Sequence, residues 1–214
     1  MTLTEILILL LTGAVTTIWL TIGALIASFA IGVVITALAI SRFRVLRAVA
    51  YCYVEVFRGV PVITLLFIIY FGLPEFGLRL SSAASAITGL GLGGAAVICE
   101  VLRGALGAVP PGQMEAAKTL GMTRWMALRE IILPQAWPIA LAPLGNFAIG
   151  TLKYTAIASA VAAPEMAYQA RILVQNIYRS AEVYTLLALL YLAMSLPMAR
   201  CVHLMERRLN RKSR

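Results

Sequence analysis

The chain has 214 residues, 61% of them hydrophobic and only 13% charged, with a mean hydropathy of +0.91 and a net charge of +9. Soluble domains carry about 45–50% apolar and about 25% charged residues, so this balance excludes an aqueous globular core and points to a bilayer. The basic residues sit in short clusters between apolar runs and at the C-terminus, which argues against a nucleic-acid-binding face.

Met1 to Glu5 offers no basic region ahead of the first apolar stretch, so that stretch is expected to stay as an anchor rather than be cleaved. No charged residue occurs from Ile6 to Ser41. A helix of that length spans about 54 Å at about 1.5 Å per residue, against a hydrocarbon core about 30 Å thick. The segment must therefore tilt, protrude or break, and Thr12-Gly13 is the expected break. Ala24, Ser28, Gly32 and Thr36 recur every four residues, a small-residue stripe along which another helix can approach closely. Further apolar runs cover about Val49–Leu73, Ala83–Leu106, Ala136–Ala163 and Val183–Leu204. The prediction is an all-α membrane protein with about five transmembrane helices in a single domain, residues 1–214. Pro61 and Pro138 fall within or near spans, where neighbours must satisfy the carbonyls they free.

Orientation follows from the basic residues. With the N-terminus outside, the inner segments hold Arg42, Arg44, Arg47, Arg103, Lys118, Arg124, Arg129, Arg200, Arg207, Arg208, Arg211, Lys212 and Arg214. The outer segments hold Arg79, Arg171 and Arg179, while Arg58 and Lys153 lie within spans. Thirteen against three is a positive-inside bias that puts the C-terminus in the cytoplasm.

Two charged segments echo one another: Glu55-Val56-Phe57-Arg58-Gly59 and Glu100-Val101-Leu102-Arg103-Gly104. Glu and Arg three apart share a helix face, so each segment is expected to form an ion pair toward the cytoplasmic end of its span. Such pairs either hold an inner gate or snorkel at the interface. Lys153 lies inside the fourth span, where a charge faces a bundle interior or a wet cavity, or else binds helix-end carbonyls.

The loop Val109–Gln135 between the third and fourth spans is the most informative stretch. Pro110-Pro111-Gly112 ends one helix and starts another, and Glu115 is expected in the first turn, where a carboxylate suits the helix dipole. Gly121 permits a sharp turn before a second short helix, about Thr123–Ile132, that ends at Pro134. On these residues alone, the loop is either a docking element or an amphipathic helix lying on lipid.

Glu115-Ala116-Ala117, then Gly121, then Ile131-Ile132-Leu133-Pro134 resembles the EAA loop of ABC-importer permeases. The resemblance extends over most of the chain. Tyr53 to Pro61, Tyr70-Phe71-Gly72-Leu73-Pro74, Pro143-Leu144-Gly145-Asn146, Pro164-Glu165-Met166 and the ending from Val183 to Leu209 look like the polar amino acid branch of that family. It implies a type I importer fold and a bacterial inner-membrane location. It also implies a loop over residues 109–135 that couples to an ATPase through Glu115, Ala116, Ala117, Gly121, Leu133 and Pro134. The implied partners are two ATP-binding cassette subunits, a second permease subunit and an extracytoplasmic solute-binding protein.

Lys153, Tyr154, Thr155 and Glu100 are then the candidate path residues, with Glu55, Arg58 and Arg103 as candidate gate or interfacial charges. Two departures from the family pattern stand out. Tyr154 replaces the acidic residue of a Leu-Lys-Asp-Thr segment, and Gly93-Gly94-Ala95-Ala96 carries fewer polar groups than usual. A second, non-identical permease that supplies the binding groups accounts for both, although a copy of the same chain is the alternative.

Catalytic equipment is missing from the sequence. There is no aspartate to serve as a Walker-B carboxylate, and Gly145 and Gly150 are followed by Thr151 where a phosphate-binding loop needs lysine. Cys52, Cys99, Cys201 and the lone His203 match no metal or redox spacing. The chain is expected to bind no cofactor and to rely on ATP and Mg²⁺ held by partner subunits. The competing expectations are a stand-alone secondary carrier for a small polar solute, whose internal repeat would have to exceed the short Glu-Val-x-Arg-Gly echo, and a membrane enzyme, which lacks convergent titratable groups.

Overall fold

The computed structural model describes the backbone of residues 1–212 and the side chains of residues 1–207. The side chains of Arg208, Leu209, Arg211 and Lys212, and Arg214 itself, lie outside the described residues. All regular structure among the described residues is helical.

Helix α1 runs unbroken from Leu3 to Ala39. Thr2 and Glu5 form a reciprocal capping box at its start: each side chain accepts from the other's backbone N–H, at 3.3 and 3.0 Å. The break expected at Thr12-Gly13 does not occur. A glycine inside a helix costs about 0.5–1 kcal/mol relative to alanine, far less than abandoning helical hydrogen bonds in lipid. Gly13 serves packing instead: a Cβ there would lie 2.8 Å from the Cα of Met166.

The second predicted span is not one straight helix. Helix α2 (Arg44–Gly59) and helix α3 (Val62–Phe67) meet at a 100° elbow. Pro61 has no N–H and drives Val60 into extended backbone (φ −86°, ψ 126°), which ends α2. A π turn (Ile68–Gly72) and a 3₁₀ turn (Leu73–Phe76) prolong α3, and Gly77 closes it at φ +83°.

Helix α4 (Ser82–Gly107) is followed by α5 (Pro111–Thr119), α6 (Arg124–Ala127) and α7 (Leu133–Tyr154). The second loop helix does not end at Pro134. A π turn over Leu128–Ile132 joins α6 to α7, with the Leu133 N–H donating to the Leu128 carbonyl. The wider turn makes room for the Pro134 ring, which would otherwise strike the carbonyl four residues back. A 3₁₀ segment (Thr155–Val161) leads to α8 (Met166–Ile177) and then α9 (Ser180–Lys212).

Packing fixes the direction of each helix. Gly23 of α1 meets Ile87 of α4, Ala27 meets Gly91, and Gly32 meets Ile98, so α1 and α4 run parallel. The stripe Ala24, Ser28, Gly32 and Thr36 is buried, and the Ser28 hydroxyl donates to the Leu90 carbonyl at 3.4 Å. Small residues matter here because lipid supplies no hydrophobic drive between helices, so close van der Waals approach must hold them. Helix α7 returns antiparallel, placing Phe147 against Gly94 and Ala136 beside Ala105. Helix α9 runs parallel to α1: Val183 packs near Ile6 and Leu10, and Val202 against Gly145.

Since α1 and α4 point the same way, residues 44–76 must carry the chain back across. Helix α2 packs beside Ile35, Ala96 and Cys99, while Leu66 of α3 and Tyr70 of the π turn pack near Leu20 and Ala86, toward the other end. Among the described residues four stretches are long and apolar enough to cross a membrane, and the bent α2–α3 pair adds a fifth if it is one span, with α5 and α6 on one side (the loop side) and the Met1 end and α8 on the other (the far side).

Candidate functional site

The loop between α4 and α7 folds as a compact hairpin of helices. Pro111 stands at the first position of α5, where its missing N–H costs nothing. Glu115 consequently falls in the second turn, not the first as expected, beyond the reach of the helix-dipole effect. Glu115 and Ala116 are exposed, while Ala117 is fully buried. Gly121 adopts φ +76°, a left-handed conformation that closes the turn after α5. Thr123 then caps α6 by accepting from the Met126 N–H at 3.3 Å. Leu120, at 79% exposure, is the most open apolar side chain of the loop, followed by Trp125 and Met126. Leu133 and Pro134 are exposed on the helix that leads back into the bundle.

The charged residues of α2 and α4 do not pair as the sequence suggests. Glu100 and Arg103 form the expected bidentate contact, at 3.1 and 2.8 Å. Glu55 is exposed and makes no ion pair with Arg58 among the described residues. Arg58 reaches between helices, its guanidinium 3.8 Å from the Glu100 carboxylate. Helix α2 packs beside Ala96 and Cys99 of α4, which brings Arg58, one residue from the end of α2, close to Glu100. Glu100 thus stands between two arginines in a loop-side cavity of about 330 Å³ that Arg47 and Glu55 also line.

A second cavity of about 330 Å³ lies at the inside of the elbow, between Pro61 and Val62, Gly93 and Gly94 of α4, and Phe147 of α7. Its polar lining comes from Arg58, Thr151 and Tyr154. Arg58 therefore borders both cavities. Of the four path residues named from sequence, only Tyr154 lines the elbow cavity. Lys153 is exposed one position away, and Glu100 belongs to the loop-side cavity. Thr155 is fully buried and donates to the Leu152 carbonyl at 2.7 Å, so it serves the transition from α7 to the 3₁₀ segment. Gly94 is a packing position: a Cβ there would run into the Ser28 hydroxyl and come within 2.7 Å of Phe147.

Glu165 is the residue that sequence reasoning quoted without giving it a role. It is fully buried, caps α8 by accepting from the Ala167 and Tyr168 N–H groups at 2.9 and 2.7 Å, and accepts from the Tyr191 hydroxyl at 2.8 Å. The adjoining Met166 N–H donates to the Thr17 hydroxyl of α1 at 3.2 Å. Burial pushes the Glu165 carboxyl above the usual carboxylate range, against the pull of its three donors. A lone acid just before a helical stretch is the sequence signal for such a cap, but nothing in the sequence points to Tyr191 or Thr17 as its neighbours.

Residues 28–212 match the family model described as binding-protein-dependent transport system inner membrane component. The probable amino-acid ABC transporter permease protein YckA of Bacillus subtilis is 37% identical, over 83% of this chain and 78% of its own length. The probable glutamine ABC transporter permease protein GlnM of the same organism is 36% identical, over 88% of this chain and 87% of its own. Among solved structures, the crystal structure of an amino acid ABC transporter with histidines superposes with a TM-score of 0.89 at 36% identity, covering 94% of each chain.

Proposed function

The chain belongs to the family of inner-membrane components of binding-protein-dependent transport systems, and from that premise we infer how it works. It is the non-catalytic membrane-spanning permease subunit of an amino-acid ABC importer, not a stand-alone carrier. The finer reading is that the hairpin of α5 and α6 docks on an ATP-binding subunit in the cytoplasm. The observation that carries it is the loop's surface. Glu115, Ala116 and Leu120 project from a hairpin that Ala117 anchors and Gly121 closes, on the only connection joining α4 to α7. Short side chains beside an open leucine suit a helix pressed against another protein.

In this reading the N-terminus is outside and the C-terminus cytoplasmic, as the arginine bias requires. ATP and Mg²⁺ are held by two ATPase subunits, and an extracytoplasmic binding protein delivers a polar amino acid at the far side. Closure of the ATPases moves the hairpins, and the bundle alternates between outward- and inward-open states. The elbow cavity supports a direct contact with cargo. Arg58 is its one charged lining residue, suited to the carboxylate that every amino acid carries. Tyr154 and Thr151 add neutral polar groups, leaving the remaining contacts to a second permease chain, different from this one.

The test is uptake into vesicles carrying Glu115→Lys or Gly121→Asp, with membrane insertion followed in parallel. Loss of uptake with normal insertion and reduced co-purification of the ATPase is expected. Normal transport in both variants removes the docking assignment.

A further inference from the structure

Glu100 of α4 has two arginines beside it, and one of them already satisfies it. Arg103 engages both carboxylate oxygens, at 3.1 and 2.8 Å. Arg58 stands 3.8 Å from Oε2, an oxygen that Arg103 already holds, and that separation is beyond hydrogen-bond length. The Arg58 side chain is also 56% exposed. A pair at this distance and exposure is weak, because solvent screens it and no directed bond restrains the long side chain.

Arg58 also borders the elbow cavity, and no other residue lining that cavity carries a charge. The charges of the loop-side cavity permit Arg58 to turn away. Arg47, Arg58 and Arg103 line it together with Glu55 and Glu100, three cations to two anions. Withdrawal of Arg58 leaves two of each sign, and Glu100 keeps its bidentate partner. Arg58 is thus the charge whose departure costs the cluster least.

We propose that Glu100 is a positioning residue for cargo release: it competes with the cargo carboxylate for Arg58. Arg58 turns to the elbow cavity when an amino acid arrives there and returns to Glu100 when the amino acid leaves. This rests on the reading above that Arg58 receives the cargo carboxylate. Arg103 sets the strength of the competition. By occupying both Glu100 oxygens it keeps their pull on Arg58 weak, whereas a cargo carboxylate offers two free oxygens to a guanidinium fork. Without a competing anion the cargo binds more tightly and leaves more slowly, and passage requires that it do both readily.

Equilibrium dialysis on the complete nucleotide-free complex, with its ATPase subunits and second permease, tests this. The probes are L-glutamine, L-histidine and L-arginine, each beside its α-carboxamide, which lacks the carboxylate charge. In the parent, at least one amino acid is expected to bind about tenfold more tightly than its amide, the scale of one charge-assisted hydrogen bond. Glu100→Gln is expected to tighten that amino acid about threefold, the scale of a weak ion pair, and to leave the amide unmoved. Arg103→Gln, which frees Glu100 to hold Arg58, is expected to weaken the amino acid by about the same factor. Opposite shifts in two variants, with the amide as control on the same preparations, do not arise from loss of structure. Glu100→Asp keeps the charge and is expected to return the discrimination toward the parent value. Discrimination that survives in Arg58→Gln, or that is missing from the parent, overturns the carboxylate contact and the competition with it. Discrimination lost in Arg58→Gln but unchanged in Glu100→Gln leaves the contact standing and overturns the role of Glu100 alone.

Discussion

The Tyr191 hydroxyl of α9 donates to the Glu165 carboxylate at 2.8 Å, and through that carboxylate α9 is joined to the first turn of α8. The Met166 N–H extends the connection to Thr17 of α1. Helices α8 and α9, neighbours in sequence, and the distant α1 are therefore joined around one fully buried acid and the residue after it. A satisfied buried network rigidifies its surroundings, and a half-satisfied one is costly.

Tyr191→Phe deletes one of the two donors to the buried Glu165 Oε2 and leaves it the Ala167 N–H alone. Destabilisation of about 1–3 kcal/mol is expected, read as a lower thermal midpoint in detergent. Glu165→Ala removes the α8 cap as well and is expected to cost more than Tyr191→Phe. Equal midpoints for Tyr191→Phe and parent would show that the hydroxyl contributes nothing.

The Glu165 carboxyl has a raised folded pKa, so the folded state takes up its proton more readily than the unfolded chain does. The associated stability is present at low pH and is lost as pH rises through the folded pKa. Glu165→Gln cannot titrate there. The midpoint of the parent minus that of Glu165→Gln is accordingly expected to fall as pH increases above the ordinary carboxylate range. A difference that grows with pH would reverse the assignment.

Gly93 and Gly94 are neighbours with opposite tolerance. A Cβ at Gly94 meets Ser28 and Phe147 well inside contact distance, whereas at Gly93 the nearest atom is 3.8 Å away. Gly94→Ala is expected to destabilise by about 1–3 kcal/mol through overpacking, and Gly93→Ala to be close to neutral for folding. Detergent melting curves of the two variants decide it.

Arg58→Gln removes the only charge lining the elbow cavity. With the binding protein's own affinity unchanged, the maximal uptake rate is expected to fall about tenfold, the value of one lost charge-assisted hydrogen bond. Basal ATPase activity is expected to persist. Unaltered uptake would place the cargo elsewhere.

At Gly121 the backbone sits at φ +76° with open space around the missing Cβ. Gly121→Ala is therefore expected to cost about 1 kcal/mol from backbone conformation alone, without a clash. Partial uptake is expected from it, against none from Gly121→Asp, which adds a charge at the proposed docking face.

Much of this was legible in the residues. The small-residue stripe of α1 faces α4 as its spacing implies, because a four-residue repeat stays on one face of any helix. Gly121 makes the turn that its place between two helical stretches implies. The Glu55–Arg58 pair failed for the opposite reason: spacing on a helix shows which residues share a face, but the packing of α2 beside α4 put Arg58 within reach of Glu100 on another helix. Thr155 failed similarly, since the shift to a 3₁₀ segment turned its hydroxyl onto the Leu152 carbonyl.

Sequence by itself determined the bilayer environment, the all-helical architecture and the hairpin of short helices between α4 and α7. Each depends on composition or on local periodicity, which any helix in lipid must obey. Tertiary structure alone decided that α1 is one continuous rod, that Arg58 faces Glu100, that Glu165 meets Tyr191 and Thr17, and that Arg124 caps a helix 84 residues away. These are contacts between segments whose relative placement depends on how small residues let helices approach, and no local pattern encodes that distance.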